Sequence, residues 1–130
     1  MIIPSKFLKL EYNPATDILY VEWPDIYEFS SPELKFILGE VINTIRSYDV
    51  KKVLADSTKS VVTLDPAEYE MILDQFTKDL MDTRLERFAR LTTGQGFREY
   101  AAEKVAEALQ GICNVQNFND KDEAINWLGS

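Results

Sequence analysis

Val53-Leu54-Ala55-Asp56, then Ser57-Thr58-Lys59-Ser60-Val61-Val62-Thr63-Leu64, then Asp65-Pro66-Ala67-Glu68-Tyr69: the reading of this run decides the fold. A short strand with no polar alternation until Asp56 is expected in a sheet covered on both faces, as parallel sheets are. Asp65 is placed as a helix cap, with Pro66 at the first helical position. Glu68 completes a capping box, and Leu64 and Tyr69 are spaced as a hydrophobic staple. The stripe Tyr69, Ile72, Leu73, Phe76 and Leu80 then predicts an amphipathic helix. A loop between the carboxyl end of a buried strand and a helix N-terminus is where open α/β sheets bind ligands. This loop has no phosphate-cradling glycines and no nucleophile–base pair. It marks a place without naming a chemistry.

Working back toward the N-terminus, residues 6–12 alternate, with Leu8, Leu10 and Tyr12 on one face. Asn13-Pro14-Ala15-Thr16-Asp17 is turn chemistry, and the β-branched and aromatic residues 18–23 form the second arm of a hairpin that Pro24 ends. Ser30 or Ser31 caps the next helix, Ser30 through a capping box with Glu33 and Ser31 through the Pro32 that follows it. Leu34, Ile37, Leu38, Val41, Ile42, Ile45 and Tyr48 give that helix its apolar face, and Gly39 inside it is expected to allow close helix–sheet contact. Working forward, residues 87–92 read as a strand, Thr93-Gly94-Gln95-Gly96 as a sharp turn and residues 97–109 as a helix stopped by Gly111. Residues 112–118 form the last strand, and Asp120 with Glu123 opens a terminal helix whose Ala124, Trp127 and Leu128 face inward. The expected order is ββαβαβαβα, with four helices. It predicts one α/β domain over residues 1–130: a mixed, mostly parallel sheet with an antiparallel N-terminal hairpin.

Composition removes more functions than it suggests. Among 130 residues there is no histidine, so triads, Cys-His pairs and histidine-ligated zinc are excluded. One cysteine, Cys113, permits neither an internal disulfide nor a thiolate zinc site, and fits a reducing compartment and an inert core thiol. No cofactor is expected. A net charge of −8 argues against nucleic acid. No apolar run approaches the ~20 residues of a membrane helix, so a cytoplasmic protein without an integral membrane segment is expected.

The chain resembles the STAS superfamily, in particular its stand-alone SpoIIAA-like branch, whose fold is that of bacterial anti-sigma-factor antagonists. The residues that carry this are Tyr12-Asn13-Pro14 with Ile18 through Trp23, Val53-Leu54-Ala55-Asp56 followed by Leu64-Asp65-Pro66, and Val115 through Phe118 with Asp122-Glu123-Ala124-Ile125-Asn126-Trp127-Leu128. The resemblance implies a STAS-like fold and a non-enzymatic regulatory or protein-interaction role, with self-association to a homodimer possible through a sheet edge. Antagonist-like members switch partners through a phosphorylated serine at the turn opening the second helix. Here that place reads Leu64-Asp65-Pro66-Ala67-Glu68, without a serine.

Three candidate surfaces follow. A protein-binding surface is expected at Ser57, Thr58, Lys59, Ser60 and Thr63, joined by Lys35 and Glu40 of the first helix. Trp23, Tyr27, Phe29 and Phe36 either line a pocket for a small apolar or lipid-like ligand or pack in the core. The carrier reading draws on the likeness of the STAS architecture to CRAL-TRIO lipid carriers. Arg87, Arg90 and Arg98 with Gly94 and Gly96, and Arg84 nearby, form an anion corner or else pair with surplus carboxylates. Asp17, Glu22, Asp25 and Glu28 gather acids near the hairpin, and a buried Glu22 would need a partner.

Overall fold

The computed structural model describes residues 1–5, 8–22, 31–56, 66–91 and 113–129. In chain order these form β1 (Ile2–Ile3), β2 (Lys9–Asn13), β3 (Ile18–Glu22), α1 (Ser31–Tyr48), β4 (Lys52–Asp56), α2 (Pro66–Met81), β5 (Arg87–Leu91), β6 (Asn114–Phe118) and α3 (Lys121–Gly129). One six-stranded sheet contains every described strand, in the spatial order β1-β2-β3-β4-β5-β6. β1/β2 and β2/β3 are antiparallel, and β3 through β6 are parallel.

The hairpin and the parallel body agree with the pattern of residues. Leu8, Leu10 and Tyr12 are all buried on one face, and Val53, Leu54 and Ala55 make β4 the doubly covered centre. The alternation within each strand sends two sets of side chains to two cores. Leu10, Tyr12, Leu19, Val21 and Val53 meet the apolar stripes of α1 and α2, including Ile37, Ile45, Ile72 and Phe76. On the other face, Leu54, Ala89 and Leu91 meet Ala124 and Leu128 of α3. The two crossover helices thus share one face of the sheet, and the last helix covers the opposite one.

Two helix ends are described with their caps, and the caps expected at Ser30 and Asp65 lie outside the described residues. Asp120 Oδ1 accepts a hydrogen bond from the Asp122 amide at 2.9 Å and opens α3. At the end of α1, Asp49 takes a left-handed conformation (φ 51°). The Val50 amide then reaches the Ile45 carbonyl at 3.0 Å and the Asp49 amide that of Arg46 at 3.4 Å, a Schellman closure. Thr44 and Thr77, buried in α1 and α2, satisfy their hydroxyls on the carbonyls of Glu40 and Leu73, each at 2.8 Å.

Several expectations change. Ile2–Ile3 is a strand that residue patterning does not announce, because two residues have no period. It forms through pairing with Glu11 and Leu10, and the Met1 ammonium donates to the Tyr12 carbonyl at 2.8 Å. The described order therefore begins βββ, not ββ. Three helices are described where four were expected; the helix expected at residues 97–109 lies outside the described residues. The last strand starts at Asn114, two residues later than expected, which leaves the buried Cys113 just before it. Gly39 does not mediate helix–sheet contact: a Cβ built there meets no described atom within 4 Å. Phe36, one of the aromatics for which core packing was weighed, is 56% exposed.

Candidate functional site

α1 and α2 lie side by side on the sheet, and their outer surfaces leave a cleft of about 610 Å3 between them. Its floor is Leu38 and Gly39 from α1 with Ile72 and Phe76 from α2. Its rim is Lys35 on one side and Glu68, Met71, Gln75 and Asp79 on the other. Leu38, Ile72 and Phe76 are less than a tenth exposed, whereas Met71 is 74% exposed. A methionine standing free at the mouth of an apolar trough is an adaptable contact surface. Polar groups on the rim are held in part: Gln75 Nε2 donates to Asp79 Oδ1 at 3.1 Å.

A second cluster sits at the carboxyl ends of β3 and β4, where α/β sheets place ligands. The register sets Glu22 opposite Asp56. The Tyr20 hydroxyl lies 3.1 Å from Glu22 Oε1 and 3.3 Å from Asp56 Oδ2. Lys121 Nζ sits 4.4 Å above the Tyr20 ring. Burial, and then the charges of Asp56 and Glu22, push the Tyr20 hydroxyl well above its ordinary acidity range. It is therefore a donor at neutral pH and no base, and it answers the need of the half-buried Glu22 for a partner. Among the described residues no group of three or more His, Cys, Asp or Glu is placed to hold a metal ion.

The residues singled out in the sequence fall in different places. Lys35 lines the cleft, and Glu40 is half-buried farther along α1. Ser57, Thr58, Lys59, Ser60 and Thr63 lie outside the described residues, as do Trp23, Tyr27 and Phe29. Phe36 is not part of the cleft wall. The described arginines are not brought together. Arg84 Nη1 reaches Asp49 Oδ2 at 3.4 Å near the start of β5, and Arg87 Nη1 donates to the Trp127 carbonyl at 2.6 Å while lying over its ring. Arg90 stands three positions on from Arg87, hence on the opposite face of β5. Gly94, Gly96 and Arg98 lie outside the described residues. The acids also separate: Asp17 accepts from the Tyr12 hydroxyl at 2.7 Å and faces Lys51, at the end of β3 away from Glu22. Asp25 and Glu28 lie outside the described residues.

Sequence reasoning missed Glu68, Met71, Gln75 and Asp79 as wall residues. Met71 gave a signal, since it is a large apolar residue off the stripe of α2. The other three read only as solvated polar positions.

No family model matches the sequence, and no curated protein matches it. A solved structure does: an uncharacterized protein of the DUF3478 family from Shewanella loihica, described as having a SpoIIAA-like fold. It is 17% identical, the match covers 97% of this chain and 98% of that one, and the TM-score is 0.58. At that identity the likeness is one of fold. The chain has a SpoIIAA-like fold, as the resemblance implied. Among the described residues no helix is long and apolar enough to cross a membrane.

Proposed function

We propose that this chain is a non-enzymatic regulatory module of STAS type that binds a protein partner in the α1–α2 cleft. The observation that carries the proposal is the cleft itself: an apolar floor of Leu38, Ile72 and Phe76 under an exposed Met71. Apolar surface kept at the mouth of a groove favours association because a partner removes it from water. The module works without the phospho-serine switch, since Asp65-Pro66-Ala67-Glu68 offers no hydroxyl at the opening of α2.

A photo-reactive amino acid at position 71 tests this in extracts of the source organism, with the same group at Lys9 on the opposite sheet face as control. The expected result is one adduct of defined mass from position 71, absent from position 9 and suppressed by excess unlabelled protein. Equal labelling at both positions, or none, overturns the reading. The volume of the cleft also falls within the range of small-ligand pockets. A small apolar ligand is thus the second reading, and native mass spectrometry of gently purified protein would reveal it as added mass.

A further inference from the structure

We infer that the occupant of the α1–α2 cleft is a basic amphipathic helix of the partner, seated over Gly39; this rests on the interaction reading above. Gly39 carries the first part. A glycine in the middle of an 18-residue helix weakens that helix, and it leaves room beside the backbone. None of the described residues needs it here, since a Cβ at 39 meets no described atom within 4 Å. The space it leaves opens into the cleft, whose floor it helps to form. The missing side chain leaves room there for a partner's backbone. A trough between two packed helices accepts a third by the same ridge-and-groove fit, and a glycine lets the backbones approach closely.

Charge supplies the second part. Of the acids of α2, Glu68 and Asp79 line the cleft, while Asp74 Oδ2 and Lys78 Nζ engage each other at 3.3 Å away from it. On the rim, Glu68 and Asp79 face Lys35 alone. With a net charge of −8 over the chain, a second copy of this protein meets like charge on this face, and a cationic partner is drawn to it. Apolar anchors at helical spacing fill the floor, and lysines or arginines flanking them reach Glu68 and Asp79 on the rim.

The test uses a peptide of about 18 residues with leucines on one face and lysines on the other, long enough to form a helix. A matched leucine/glutamate peptide is the comparison. Backbone amide NMR of the full chain should show shifts concentrated at the cleft residues of α1 and α2 with the lysine peptide only. Gly39→Ala should raise the thermal midpoint by about 2–4 °C, because helix propensity improves in open space. The same variant should weaken the peptide at least about fivefold, and Gly39→Leu at least about tenfold. Equal binding of the glutamate peptide, shifts on another face, or unchanged affinity in both variants overturns the inference. If the lysine peptide fails while the adduct at position 71 persists, the occupant is wrong and the interaction reading stands. If the adduct fails as well, both fall.

Discussion

Two tyrosine hydroxyls fix the two ends of β3. At its start Tyr12 donates to Asp17 at 2.7 Å, and at its end Tyr20 lies between Glu22 and Asp56. The bond to Asp17, with burial and the charges of Asp17 and Asp49, pushes Tyr12 up to about 12. An unfolded tyrosine ionises near its ordinary value of about 10. Between those values the unfolded chain has released a proton that the folded chain keeps, so stability falls as pH rises through the window. Cys113 acts in the same sense from a lower start, since burial raises its thiol to about 11. Tyr12→Phe should cost about 1 kcal/mol at neutral pH and make the alkaline decline shallower. Urea unfolding near neutrality and again at about pH 11 reads both effects. An unchanged decline in the variant would show that Tyr12 is not its source. The pairing of Tyr20 with Glu22 was half legible in the sequence, because residues two apart in a strand share a face. Asp56 was not, because register between strands is absent from local pattern.

Elements were legible where their residues speak for themselves. The cap at Asp120, Pro66 at a first helical position, and the stripes of α1 and α2 located three helices to within a residue or two. β1 was illegible because its two residues draw their structure wholly from β2. The cleft was hidden for a related reason: its two walls lie some thirty positions apart, and only their packing on one sheet face makes a groove. Phe36 and Gly39 were misplaced because a helical period says which residues are apolar, not which neighbour each flank meets. α3 shows how an element depends on packing. Nine residues are too few for a stable isolated helix, so α3 is held by Ala124 and Leu128, both fully buried. Leu128→Ala should lose about 2–5 kcal/mol in denaturant titration. Ile125→Ala, at a position 39% exposed, should lose well under half of that. Similar losses at both sites would mean that α3 docks through another face.

For the whole molecule the dominant quantity is charge. A net −8 with a pI near 4.5 places self-repulsion on a domain of 130 residues. Added sodium chloride, at about 0.15 M and above, should therefore raise the thermal midpoint, since screening relieves repulsion more than it weakens the few surface ion pairs. A midpoint that falls with salt would show that the pairs Lys51–Asp17, Lys51–Asp49 and Arg84–Asp49 outweigh the general repulsion. The likeness of fold spans nearly the whole chain at 17% identity, so the comparison speaks to the layering of the sheet and helices. One more property follows from the sheet order. Because spatial order equals chain order, each strand can join an edge already present as the polypeptide leaves the ribosome, and no later strand has to be inserted between earlier ones. The face under α1 and α2 can close first. Leu54, Ala89 and Leu91 wait for α3, which follows every strand it covers. During translation that apolar strip is the surface a chaperone would find, and a stalled chain lacking its last helix would present it as a marker of incompleteness.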